Sequence, residues 1–156
     1  MLIQTRTADD PLIAYRTWQV RRGADHQRLT GIHPLCPATW DGPLHVARCL
    51  ARPIGARSGR ALSPCEHAPG PECASGGCGI WADVEAADCH GRVSGVVRLW
   101  GQIIDVPPRN GWRHGVRAEF ARIESLTWLG GDPDDRRFLR AFAARHDLSL
   151  LDHLPE

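Results

Sequence analysis

The chain has 156 residues, 42% of them hydrophobic, and its nineteen basic and eighteen acidic side chains give a formal net charge of +1. That length fits one domain. The balanced charge argues against a nucleic-acid-binding surface, which usually needs a strong basic excess.

The N-terminal sequence contains no basic segment followed by an apolar run, and no apolar stretch approaches the roughly 20 residues needed to cross a bilayer. We therefore predict a cytoplasmic protein with no membrane partner. A reducing cytosol makes the six cysteines metal ligands or free thiols rather than a disulfide framework. Every basic residue is arginine, which together with abundant Ala, Gly and Pro suggests a high-GC bacterial source.

The first half of the chain contains few clear elements. We expect residues 1–14 to form a loosely held N-terminal arm, and residues 15–156 a single domain. Polar and apolar side chains alternate over residues 15–20, which predicts a first strand. Residues 44–50 fit either a strand or a short helical turn, because their periodicity does not distinguish the two.

The second half predicts a hairpin followed by a helix. Residues 91–106 alternate as a strand, with Gly95 and Gly101 as candidate bulge positions. A turn at 107–111 leads to a returning strand at 116–123. Asp132 then caps a helix that starts at Pro133, ends near residue 147 and precedes a last short strand at 148–151.

The predicted fold class is therefore α+β: a small curved antiparallel β-sheet with a C-terminal helix and a zinc-clamped loop. Five tryptophans lie in apolar surroundings, and most should belong to the core. They are Trp18, Trp40, Trp81, Trp100 and Trp128.

The zinc prediction rests on a cysteine–histidine cluster in an irregular, proline-rich stretch at about 49–79. Cys65, His67, Cys73 and Cys78 give a C-x-H-x5-C-x4-C arrangement. Zinc takes four such ligands in a tetrahedron at about 2.0–2.3 Å. A long irregular loop normally needs a function or a clamp, and thiolate-rich sites are usually structural.

The fourth ligand is open between Cys65 and Cys49, because Cys49 could reach the site from a neighbouring strand or instead be a small buried side chain. Cys36 and Cys89 are more typical of packing or incidental thiols. No metalloprotease or nucleobase-deaminase motif is present, which favours a structural Zn²⁺ over a catalytic one.

A second cluster of polar and aromatic side chains lies around the hairpin turn. It could line a shallow site for an anionic or planar ligand, or simply form a polar strand edge. Its members are Trp100, Trp112, Arg113, His114, Arg117 and Glu119.

The run from Gly95 to Gly101, together with residues 115–119 and the cysteine–histidine loop that leads into residues 78–82, resembles small uncharacterised actinobacterial proteins with such a zinc loop. The likeness covers about the middle half of the chain. It implies no activity, and it supports a bacterial, cytosolic protein.

These observations lead to three hypotheses. The first is a zinc-stabilised binding or regulatory module that recognises a protein or small-molecule partner and has no catalytic residues. The second is a small enzyme of bacterial specialised metabolism with a pocket near residues 112–119. The third is a nucleic-acid-binding zinc module, which the balanced charge disfavours.

Overall fold

A computed structural model of the protein describes residues 2–23, 27–31, 39–47, 79–89, 91–108 and 113–155. These ranges contain nine strands, a short 3₁₀ turn at Ala86–Asp88 and one α-helix. The strands are β1 (Ile3–Arg6), β2 (Leu12–Arg22), β3 (Gln27–Gly31), β4 (Thr39–Trp40), β5 (Leu44–Val46), β6 (Ile80–Asp83), β7 (Val93–Val106), β8 (Gly115–Trp128) and β9 (Ser149–Leu151), and the helix is α1 (Pro133–Arg145). This is a mostly antiparallel sheet with one C-terminal helix, as predicted.

The hairpin of β7 and β8 is the longest pairing in the described structure. Each strand has 14 residues, and the register runs from Val93 opposite Trp128 to Val106 opposite Gly115. The predicted hairpin is confirmed. β8 is longer than the predicted strand at 116–123, because it begins at Gly115 and continues beyond Ile123 to Trp128.

Two irregularities bend this hairpin. Between Trp100 and Ile103, β7 carries one extra residue, and Gly101 there has a φ of +78°, a conformation that favours glycine. Between Val96 and Val97, the extra residue is on β8, where Glu124 is passed over in the register. The sequence-based expectation of a bulge at Gly101 is confirmed.

The strand pairings close on themselves. β7 pairs with β8 and β2, β8 also pairs with β6, and β6 meets β2 where Asp83 lies opposite Tyr15. The sheet therefore curls into a ring, which gives each long strand an inward and an outward face. β3 and β4 extend the sheet beyond β2, while β5 and β9 add to β8.

The N-terminal segment, predicted to be a loosely held arm, forms strand β1 and the start of β2. Ile3–Arg6 pairs with residues 101–104 of β7, and β2 already begins at Leu12. The stretch 44–50, open between two conformations in the sequence, forms strand β5 at Leu44–Val46 before the described residues stop at Ala47.

The core fills the inside of the ring and the space beneath α1. Trp18 and Trp40 are fully buried and contact each other edge to face, with ring centroids 5.5 Å apart. Trp81, Trp100 and Trp128 are only half-buried. The other fully buried large side chains include Leu29, Val97, Leu99, Ile104, Ile123, Leu126, Thr127 and Leu139.

Helix α1 begins and ends close to where the sequence predicts. The Asp132 carboxylate accepts a hydrogen bond from the Asp134 amide at 2.8 Å, and Pro133 occupies the first turn. Arg22 at the end of β2 lies 2.5 Å from Asp132 and 3.4 Å from Asp135, so an ion-pair cluster ties the β2–β3 hairpin to the helix. No helix in the described ranges has the length and apolarity that crossing a membrane requires.

A glycine substitution tests the close approach of β7 to β8. A Cβ at Gly95 would overlap the Ser125 carbonyl oxygen and press on the Trp18 ring. We expect Gly95→Ala to lower the free energy of unfolding by about 3 kcal/mol, as overpacking does. Gly42→Ala is the control, since its Cβ would meet only His146 Cε1 at 3.7 Å. Equal stability of the two variants in urea titrations would contradict the packing described.

Candidate functional site

The predicted metal ligands lie outside the described residues. This holds for Cys49, Cys65, His67, Cys73 and Cys78, and also for Cys36 and Trp112. Within the described ranges, no group of three or more His, Cys, Asp or Glu side chains is placed to hold a metal ion.

Cys89 has the packing role that the sequence suggested. It is a buried free thiol whose Sγ lies 3.0 Å from Thr17 Oγ1. That hydroxyl also lies 3.5 Å from Ser94 Oγ. The contacts fix the connection before β7 against β2.

Two side chains of the predicted hairpin cluster, Arg113 and His114, each lie beside a carboxylate. Arg113 donates to the carbonyl oxygen of Asp88, and its Nε lies 3.8 Å from the Asp88 carboxylate. His114 Nε2 lies 2.7 Å from Asp105 Oδ1 across the end of the hairpin. The His114–Asp105 pair links the two strands beside the segment that connects them, and the Arg113–Asp88 pair ties the residues before β8 to the 3₁₀ turn.

Glu119 and Arg117 have different surroundings, although both belong to β8. The Glu119 carboxylate accepts a hydrogen bond from the Gln102 amide at 3.1 Å, which satisfies the backbone of the β7 bulge. Arg117 is buried, and its backbone is paired between Trp81 of β6 and Ile104 of β7. Their role in binding a ligand stays a prediction.

Asp83 is a titratable residue that the sequence analysis did not single out. Burial raises the pKa of its carboxyl group above the ordinary value, and the neighbouring charge of Asp88 acts in the same direction. A hydrogen bond with Trp81 and the charges of Arg113 and Arg16 lower the pKa in part. The pairing of β6 with β2 and β8 brings Arg16 and Arg113 to Asp83, and no local sequence pattern could have revealed these two neighbours.

Trp100 belongs to an exposed patch on the outward face of the ring. Its ring stacks on Phe120, its cross-strand partner, with centroids 5.7 Å apart and planes 15° from parallel. Val46 is paired with Phe120 and is 46% exposed, and Leu44 is paired with Arg122 and is 57% exposed. We call Leu44, Val46, Trp100, Phe120 and Arg122 the outer patch.

The outer patch lies on three adjacent strands, β5, β8 and β7. Leu99 of β7 and Ala121 of β8 are next to Trp100 and Phe120 in sequence, face inward and are completely buried. Because side chains alternate between the two faces of a strand, the outer patch and the core lie on opposite faces of β7 and β8. The sequence analysis found Trp100 but missed the rest. The sequence of residues 44–50 fits either a strand or a helical turn, and only in a strand do Leu44 and Val46 lie on the same face.

The sequence and the structure were compared with known proteins. No family model matches the chain, and comparison with curated proteins and with solved structures gives no significant match.

The raised pKa of Asp83 predicts a pH dependence. The folded state binds the Asp83 proton more tightly than the unfolded state, so this group costs stability as the pH rises from the ordinary carboxyl range near about 4. Asp83→Asn keeps an acceptor for Trp81 and removes the buried charge. We expect the variant to melt higher than the parent at neutral pH, with the difference vanishing in acid. Melting curves that run in parallel at every pH would be the contrary result.

Proposed function

We propose that this chain is a zinc-stabilised binding module of the bacterial cytoplasm, and that it docks a protein partner on the outer patch. The exposed outer patch is the observation that carries the proposal. The zinc ion holds the cysteine–histidine segment, and the ring of strands holds the patch.

The composition of the outer patch supports a binding role. Soluble proteins rarely leave large apolar side chains side by side in water, and such patches mark interaction sites. Here Leu44 and Val46 are about half exposed next to the stacked pair Trp100 and Phe120. Aromatic side chains and arginine are the residues that most often dominate binding energy.

The position of the outer patch on regular strands also supports a binding role. β5 and β7 flank β8 and are hydrogen-bonded to it, so Val46, Phe120 and Trp100 form one continuous cross-strand row. A surface fixed in this way loses little conformational entropy when a partner binds.

Two features support the zinc ion. The first is the ligand spacing of Cys65, His67, Cys73 and Cys78. The second is that both ends of the segment that contains them are held at neighbouring positions of one strand, since Val46 is paired with Phe120 and Ile80 with Ala118.

The anchored ends also bear on the choice between Cys49 and Cys65. Cys78 directly precedes Gly79, and Cys49 follows Ala47 by two residues. Ala47 and Ile80 both pair with β8, so Cys49 is as near in sequence to an anchored residue as Cys78 is, and Cys49 stays a candidate for the fourth ligand.

Metal analysis of the purified protein tests the zinc proposal. We expect a stoichiometric amount of zinc, lost in Cys73→Ser and Cys78→Ser and in only one of Cys49→Ser and Cys65→Ser, which identifies the fourth ligand. Cys89→Ser is the control and should keep its zinc, because that thiol packs against Thr17. A native protein that contains no metal, and whose melting temperature does not change when a chelator is added, would refute the zinc proposal. Stoichiometric iron would show that the metal is iron and not zinc.

Site-specific photo-crosslinking in cells of the source organism tests the binding role. A photoreactive amino acid at Val46 should give a discrete covalent adduct with one other protein, and the adduct should weaken when Leu44→Ser is added. The same group at Arg137, whose side chain is 79% exposed on α1, is the control and should give no such adduct. No adduct from Val46, or the same adducts from both positions, would contradict the proposal.

A further inference from the structure

Arg122 gives the outer patch a charge that the described protein does not neutralise. It is exposed and lies directly opposite Arg98 in the β7–β8 register. Like charges in directly opposed positions destabilise a strand pair. Arg98 is compensated, because its Nε lies 3.0 Å from Glu124 Oε1. Arg122 has no carboxylate partner within the described part of the chain.

The row of paired residues that contains Arg122 ends in an apolar side chain on each side. The row runs across the sheet from Ile13 through Arg98 and Arg122 to Leu44, and Ile13 is 48% exposed. The neighbouring row holds the Trp100–Phe120 stack and Val46. Residues on the same face of a strand are about 6.8 Å apart when they are two positions apart. One bound side chain is therefore long enough to reach from Arg122 to the ring of Phe120.

We propose that the outer patch binds a protein segment in which a carboxylate lies next to a large apolar side chain, with Arg122 pairing with the carboxylate and Leu44, Val46 and Phe120 covering the apolar group. This rests on the proposed function and adds the chemistry of the partner. The apolar contacts supply affinity, and the charge supplies the preference for acidic sequences.

Two other occupants fit the charges less well. A second copy of the chain, docked patch to patch about a twofold axis, would bring the Arg122 and Arg98 side chains of both copies together. An anionic membrane surface attracts clusters of several basic residues, whereas the outer patch has Arg122 and a neighbouring arginine already paired with Glu124.

Fluorescence anisotropy with short labelled peptides tests the proposal. The probe carries leucine and phenylalanine interleaved with glutamate, and matched peptides carry glutamine or lysine in place of glutamate. We expect the glutamate peptide to bind at least tenfold more tightly than the glutamine peptide. Arg122→Gln should abolish that preference and leave the affinity for the glutamine peptide unchanged, while Arg122→Lys should restore part of it. Leu44→Ser should weaken the binding of both the glutamate and the glutamine peptide.

Arg137→Gln, a change of an exposed arginine on α1, is the matched control and should keep the full preference. Circular dichroism and melting curves should show every variant folded, since both arginines and Leu44 are exposed. A glutamate preference that persists in Arg122→Gln overturns the proposal. Absence of binding by any peptide up to about 1 mM also overturns it.

Two further measurements assign the patch to another occupant and thereby overturn the proposal. One is a concentration-dependent dimer in sedimentation that Leu44→Ser abolishes. The other is binding to vesicles of phosphatidylserine and phosphatidylcholine that Arg122→Gln abolishes. If Val46 crosslinks a partner but the peptides show no charge preference, the binding role stands and the acidic chemistry fails. If Val46 crosslinks nothing, the binding role itself fails.

Discussion

The pairing of β7 with β8 is the constraint on which the rest of the described structure depends. β1 and β2 pair with β7, while β5, β6 and β9 pair with β8. The bulge at Gly101 and the register shift at Glu124 bend the two strands, and the bend lets β6 meet β2 and close the ring. Because each long strand alternates, one set of side chains fills the ring and the other faces out. The core and the outer patch are therefore two faces of the same hairpin.

This arrangement separates the buried side chains of the hairpin from those of the proposed binding surface. Leu99 and Ala121 face inward and are fully buried, whereas their neighbours Trp100 and Phe120 stack on the outer surface. The polar groups near the turn end of the hairpin have partners: His114 lies beside Asp105, Arg113 lies beside Asp88, and Glu119 accepts a hydrogen bond from the backbone amide of Gln102 at the bulge. Those contacts give the polar end a clear part in the architecture of the hairpin. Leu44 and Val46 beside Arg122 are instead 57% and 46% exposed in the described part of the chain, and the proposed binding surface includes them for this reason.

Local sequence signals predicted the elements whose residues act locally. The capping of α1 by Asp132, the period-two pattern of β7 and the conformational freedom of Gly101 are each visible in a short stretch of chain, and each is confirmed. The pairing of Ile3–Arg6 with β7, the burial of Asp83 and the common direction of Leu44 and Val46 are not visible there. They depend on which strand lies beside which, and a register between distant segments leaves no periodic signal. The cysteine–histidine segment lies outside the described residues, so its ligand set stays a prediction from spacing.

The most direct test of the account is an NMR titration of the isotope-labelled protein with the acidic, apolar peptide. The account predicts that the amide resonances of residues 44–46, 98–100 and 120–122 shift together and reach saturation. These three stretches contain the two cross-strand rows of the outer patch. Amides at the hairpin end, residues 113–117, should stay unchanged. Shifts confined to that hairpin end, or spread evenly over the sheet, would contradict the claim that the outward face of β7 and β8 is where this protein binds its partner.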